Sequence, residues 1–122
     1  MAEMFNRTDS NAVLTLPVSG SVHFDSSGIE WQESSTPGFL VKPLLEDSAV
    51  GLRSWLMRVE PGASCDLHAH SEVEQIYVLE GSFYDQDKTY GPGDYVVRAA
   101  GAMHTAGSED GAVVLLFYSP SP

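Results

Sequence analysis

The stretch His68-Ala69-His70-Ser71-Glu72-Val73-Glu74 puts two imidazoles and a carboxylate within seven residues, and a third imidazole, His104, follows far downstream. Three imidazoles and one carboxylate make a complete protein shell for a divalent metal. Side chains alternate along an extended strand, so His68 and His70 are expected on one face with Asp66, while Cys65, Leu67 and Ala69 face the other way. Ser71-Glu72-Val73 reads as a turn, and the return strand then carries Glu74, Ile76 and Val78 on a single face. His-x-His alone is a weak signal, because paired histidines also sit on solvated strands. The glycine frame strengthens it: Gly62 and Gly81 bracket the first cluster, and Gly93 and Gly101 precede His104. His23 has no such frame and reads as an ordinary strand histidine.

Outward from this cluster the chain is a series of short β-branched and aromatic runs with no helical period. The expected strands are Val13–Val18, Val22–Phe24, Ile29–Gln32, Gly38–Leu45, Leu52–Val59, Asp66–His70, Gln75–Leu79, Ser82–Tyr84, Lys88–Tyr90, Tyr95–Val97, His104–Ala106 and Val113–Tyr118. Turn-forming groups separate them, among them Glu60-Pro61-Gly62, Gly91-Pro92-Gly93-Asp94 and Glu109-Asp110-Gly111. Short strands with close turns imply an all-β sandwich or barrel. Pro43 lacks an N–H for the ladder, so its strand should lie at an edge or break there.

With 122 residues the chain is one domain, read as a flexible N-terminal arm over 1–12 and a β domain over 13–122. A net charge of −11 leaves no basic stripe to neutralise phosphates, which argues against nucleic acid. No segment has the length and apolarity to span a bilayer, and none reads as a secretory signal. The single cysteine, Cys65, excludes an internal disulfide and fits a reducing, cytoplasmic compartment.

The spacing Gly62-x5-His68-x-His70-x3-Glu74-x6-Gly81 resembles the first cupin motif in full. Gly93-x5-Ala99-x-Gly101-x2-His104 resembles the second, with Ala99 where proline is usual and Ser108 where asparagine is usual. The finer resemblance is to small single-domain ChrR-like cupins of the RmlC-like group. It rests on Leu56-x-Arg58-Val59-x-Pro61-Gly62-Ala63, on Tyr77-Val78-Leu79-Glu80-Gly81-Ser82-Phe83-x-Asp85, and on Tyr90-x-x-Gly93-x-Tyr95. The resemblance implies a double-stranded β-helix, or jelly-roll barrel, with His68, His70, Glu74 and His104 as metal ligands. It also implies two kinds of role: the zinc-binding domain of some anti-sigma factors, and enzymes similar to acetylacetone-cleaving and dihydroxyacetophenone dioxygenases. The chain shows no N-terminal helical segment with paired cysteines, so the enzyme is the first expectation.

The expected cofactor is one divalent ion, Fe(II) favoured, with Zn, Ni or Mn as alternatives. The expected reaction is dioxygenase cleavage of a C–C bond in a dicarbonyl or hydroxyketone. A non-oxidative isomerase, lyase or cyclase and a metal- or ligand-binding sensor are the alternatives. Trp55, Phe83, Tyr95, Met103 and Phe117, with Met57, are candidates for an apolar wall beside the metal, although such residues at strand spacing more often form plain core. Arg53, Arg58 and Arg98 are scarce cations that can orient an anionic substrate, but ion pairs are the commoner fate for at least two. Asp66 and Glu72 are candidates to orient an imidazole N–H. The small-molecule partner is joined by an expected homodimer, in which the apolar segment Val13–Val18 pairs with an edge strand of a second copy.

Overall fold

The computed structural model describes residues 13–122, and among them it contains β-strands and no α-helix. The arm expected over 1–12 lies outside the described residues. The strands are β1 (Gln32–Glu33), β2 (Phe39–Asp47), β3 (Leu52–Val59), β4 (Ser64–His68), β5 (Val73–Gly81), β6 (Phe83–Tyr84), β7 (Thr89–Tyr90), β8 (Tyr95–Arg98), β9 (His104–Gly107) and β10 (Ala112–Ser119). They form a six-stranded sheet in the order β1-β2-β3-β10-β5-β8 and a four-stranded sheet in the order β4-β9-β6-β7. All named pairings are antiparallel.

Period-two apolarity builds the core. Phe39 and Val41 on β2, Trp55, Met57 and Val59 on β3, Ile76 and Val78 on β5, and Val114, Leu116 and Tyr118 on β10 are buried on the inner face. Phe83 and Ala106 close the core from the smaller sheet. Each fully buried large side chain contributes roughly 1.5–3 kcal/mol of transfer free energy, so this patterning is what holds the sheets together.

Two glycines shape the chain near the motifs. Gly81 has φ +74°, and a Cβ there would run into the Gly111 carbonyl where β5 meets β10. Gly101 has φ +83°, and its N–H donates to the His70 carbonyl at 2.7 Å, tying the turn before His104 to the histidine cluster. The turn closes without the usual proline, because Ala102 N–H donates to the Ala99 carbonyl at 3.1 Å. Ser108 is fully buried; its hydroxyl donates to the Ser82 carbonyl and accepts from Gly111 N–H.

Several expected strands are absent or shifted. Val22–Phe24 forms no strand, and a short 3-10 turn over Ser26–Gly28 follows, capped by Asp25. Ile29–Gln32 reduces to Gln32–Glu33. Val13–Val18 is not a strand either: only Leu14 makes a bridge, parallel, to Leu45 of its own chain. An apolar run without a covering layer gains nothing from extension, and Val18 is fully exposed. Pro43 keeps its place in β2, but the β2–β3 register shifts between Pro43 and Leu45, the break that its missing N–H demands.

Candidate metal centre

His68 ends β4, His70 follows it, His104 opens β9, and Glu74 lies near the start of β5. All four are buried. One ring nitrogen from each of His68, His70 and His104 lies within 4.8 Å of the others. Register produces this, since His68 on β4 pairs directly with His104 on β9. The Glu74 carboxylate faces two of the rings, with Oε2 at 3.4 Å from His70 Nε2 and Oε1 at 3.5 Å from His104 Nε2. Two donors held by one ion at about 2.1 Å, roughly 100° apart, lie about 3.2 Å from each other, so these separations suit a shared cation.

The protonation pattern points the same way. His68 Nδ1 lies 2.9 Å from the Asp66 carbonyl and His104 Nδ1 lies 3.2 Å from the Ala102 carbonyl. A carbonyl only accepts, so Nδ1 carries the proton in both rings and Nε2 keeps a lone pair for a ligand. Burial, with the positive charge of Arg98, pushes His104 down to about 4 against the opposing charge of Glu74, so the ring is neutral near pH 7. Burial works against ionisation of Glu74, but the hydrogen bonds and charge from His70, Tyr118 and His104 outweigh it and hold the carboxyl below its ordinary range. A neutral imidazole and a carboxylate are the forms that a divalent ion requires.

Glu74 is also gripped from behind. Tyr118 donates its hydroxyl to Oε2 at 2.6 Å, and Arg98 Nε donates to Oε1 at 3.2 Å. Arg98 reaches on to Asp85 at 3.1 Å, and Asp85 in turn accepts from the backbone of Asp87 and Lys88 and from the Tyr90 hydroxyl. Arg53 lies over the Tyr118 ring at 3.8 Å and pairs with Glu72 at 2.9 Å, which pins the bend between His70 and Glu74.

The other sequence candidates are dispersed. Trp55 is buried with its ring 6.2 Å from that of Tyr118, and its N–H donates to Glu46 rather than facing the imidazoles. Phe83 and Met57 belong to the core. Met103 and Tyr95 are exposed, and Tyr95 hydrogen-bonds Gln75 on the outer face. Phe117 points outward because its neighbours Leu116 and Tyr118 take the inner face. With Arg53 it lines a pocket of about 410 Å³ that also touches Leu45, Leu52, Gln75 and Tyr118. The three candidate arginines are all in ion pairs: Arg53 with Glu72, Arg58 with Glu60, and Arg98 with Glu74 and Asp85. Asp66 offers its backbone carbonyl to His68, not its carboxylate, and the residue itself is exposed.

Cys65 is the clearest correction. Alternation placed it away from His68, yet its Sγ lies 3.7 Å from His68 Nδ1. The β4–β9 register shifts between Cys65 and His68, and such an irregularity breaks the period of two. Burial, with the charges of Asp66 and Glu74, pushes the thiol up to about 11 despite a backbone hydrogen bond at Ala106, so it stays protonated. Tyr118 was missed as a partner of Glu74. Its signal was present in the inward parity of Val114, Leu116 and Tyr118, but an aromatic at strand spacing reads as core.

This barrel matches a known family. The ChrR Cupin-like domain family matches residues 19–122, and the chain belongs to it. No curated protein matches. Among solved structures, an RmlC-like cupin from Shewanella frigidimarina is 25% identical, with TM-score 0.70 over 83% of this chain and 93% of that one. The complex of Rhodobacter sphaeroides SigE with the anti-sigma ChrR matches with TM-score 0.65 and 21% identity, over 76% of this chain and 50% of the other, so this chain spans half of that one. The polyketide cyclase RemF from Streptomyces resistomycificus matches with TM-score 0.71 and 21% identity, over 82% and 80%. The last two likenesses show the fold alone. The architecture is therefore a single-domain cupin jelly roll, as expected, and the fold is shared by proteins of quite different activity. No helix among the described residues is long and apolar enough to cross a membrane.

Proposed function

We propose that this chain is a metal-dependent cupin enzyme, a dioxygenase that cleaves a C–C bond in a small dicarbonyl or hydroxyketone. The observation that carries it is the convergence of the His68, His70 and His104 donor nitrogens within 4.8 Å, with Glu74 facing two of the rings. These four residues would hold the ion, and four protein donors leave about two positions on a six-coordinate one. A bound divalent ion supplies Lewis acidity, and Fe(II) also supplies a route to dioxygen. The chain's own part is to fix the Nδ1 protons of His68 and His104 on the Asp66 and Ala102 carbonyls, which leaves Nε2 to a ligand. Burial keeps the His104 ring neutral, and Glu74 holds one negative charge among the buried donors. Glu74, held below the usual carboxylate range, is a poor proton acceptor near pH 7 and is better suited to supply charge than to act as a base.

The test is oxygen uptake by Fe(II)-loaded protein offered β-diketones and hydroxyketones. Uptake with stoichiometric cleavage products, lost in His104→Ala, supports the proposal. Turnover that persists without oxygen moves the reading to a lyase, isomerase or cyclase. The family match favours one second reading, a metal- or ligand-binding sensor in the cytoplasm, which stoichiometric zinc without turnover would support.

A homodimer remains part of the proposal, but not through Val13–Val18, whose Leu14 is bridged to its own chain. The outer face of the larger sheet supports a different contact. Phe117, Tyr77, Leu79, Tyr95 and Val97 are exposed there, and β8 is an edge strand.

A further inference from the structure

The inner face of the larger sheet carries one polar row among apolar ones. Following the register across strands, Glu46 pairs with Arg53, Arg53 with Tyr118, Tyr118 with Glu74, and Glu74 with Arg98. The next row toward the core is Pro43, Trp55, Leu116, Ile76 and Val96. A polar row beside a packed apolar layer is costly unless its members find partners, and here Tyr118 and Arg98 bond Glu74, Arg53 pairs with Glu72, and Glu46 accepts from the Trp55 N–H. The two on either side of Glu74 converge on its carboxylate: Tyr118 takes Oε2 at 2.6 Å and Arg98 takes Oε1 at 3.2 Å. The same two oxygens face His70 and His104.

We infer that Tyr118 and Arg98 are positioning residues that clamp Glu74 as the fourth metal donor, so that without the clamp the centre becomes a three-histidine site. The inference rests on the metal-centre reading of the proposed function and deepens it. The two grips differ in kind. Tyr118 fixes orientation through one short hydrogen bond from a ring that Arg53 covers at 3.8 Å. Arg98 supplies charge and ties the carboxylate to the second sheet, because its other contact is Asp85 at 3.1 Å, just after β6. A carboxylate held at both oxygens loses little freedom on binding an ion, and partners of this kind commonly contribute 10–100-fold to metal affinity.

The test uses Co(II) as the probe with the full chain, Tyr118→Phe, Arg98→Lys, Arg98→Gln, Glu74→Gln and the Tyr118→Phe/Glu74→Gln pair. Affinity is measured by chelator competition and coordination by the visible Co(II) spectrum. Tyr118→Phe removes one hydroxyl, and circular dichroism verifies that the fold persists. The expected result is a 10–100-fold loss of affinity in Tyr118→Phe with a spectrum shifted toward that of Glu74→Gln, while the pair binds no more weakly than Glu74→Gln alone. Arg98→Lys, which keeps the charge, should retain more affinity than Arg98→Gln. A Tyr118→Phe protein with the wild-type spectrum and affinity overturns the clamp, as does full additivity in the pair. Wild-type protein that binds no Co(II) overturns the metal-centre reading itself and the clamp with it. Co(II) binding with the expected variant pattern but no oxygen uptake sinks only the dioxygenase.

Discussion

A single imidazole shows how local contacts set the chemistry of this chain. His104 has its proton fixed on Nδ1 by the Ala102 carbonyl and is pushed to about 4 by burial. Its folded value lies below the ordinary 6.5, so its contribution to stability is full above pH 6.5 and is lost as pH falls through 4. Glu74, also lowered, has the same sign in a more acidic window, below its ordinary 4.5. Metal-free protein should therefore melt at steadily lower temperature as pH drops from 6.5 to 4, and calorimetry across that range checks it. A flat profile would mean that His104 is protonated or exposed in solution. Glu74→Gln removes one of the two negative charges that Arg98 pairs with, and on the scale of broken buried ion pairs it should cost on the order of 3 kcal/mol, read by urea unfolding.

Strands turn these residues into a centre. The irregularity in β4 between Cys65 and His68 lets both side chains lie on the same side, where an ideal strand would separate them. The β5–β10 junction depends on Gly81, whose positive φ and contact with the Gly111 carbonyl leave no space for a Cβ. Gly81→Ala should destabilise by at least about 2 kcal/mol, combining backbone strain with a forced shift of β10. Thermal melting measures it, and a loss below about 0.5 kcal/mol would show that the junction relaxes freely. The turn at Gly101 is a second such device, linking β8, the His70 backbone and β9 through one 2.7 Å hydrogen bond.

The whole molecule couples metal to fold, because the four candidate donors come from β4, the segment after it, β5 and β9, and so from both sheets. An ion that binds only the assembled barrel stabilises it by mass action, about 2.7 kcal/mol at a hundredfold excess over the dissociation constant. Chelation should lower the melting temperature, and restored metal should raise it; His68→Ala should abolish the difference. The outer face offers a separate prediction. In a chain of net charge −11, the uncharged patch of Phe117, Tyr77, Tyr95 and Val97 is where a second, equally acidic copy can approach. Val97→Asp should then shift the mass seen by light scattering from dimer to monomer while leaving Co(II) binding intact. A wild-type protein that is monomeric at high concentration sinks the dimer.

The sequence by itself determined the barrel and the candidate donor set. Period-two apolarity makes strands, glycines at positive φ make turns, and two histidines with a glutamate at fixed spacing meet a third once such strands pair. Surplus carboxylates also led it to expect ion pairs for at least two of Arg53, Arg58 and Arg98, and all three are paired. Only the tertiary structure decided what surrounds the donors. Cys65 swung toward His68 because a register shift is a property of two paired strands rather than one. Tyr95 and Phe117 turned outward because parity is anchored by which neighbours the opposite sheet buries. Tyr118 and Arg98 met Glu74 because cross-strand register brings together residues that are distant in the chain, and no local pattern records that pairing.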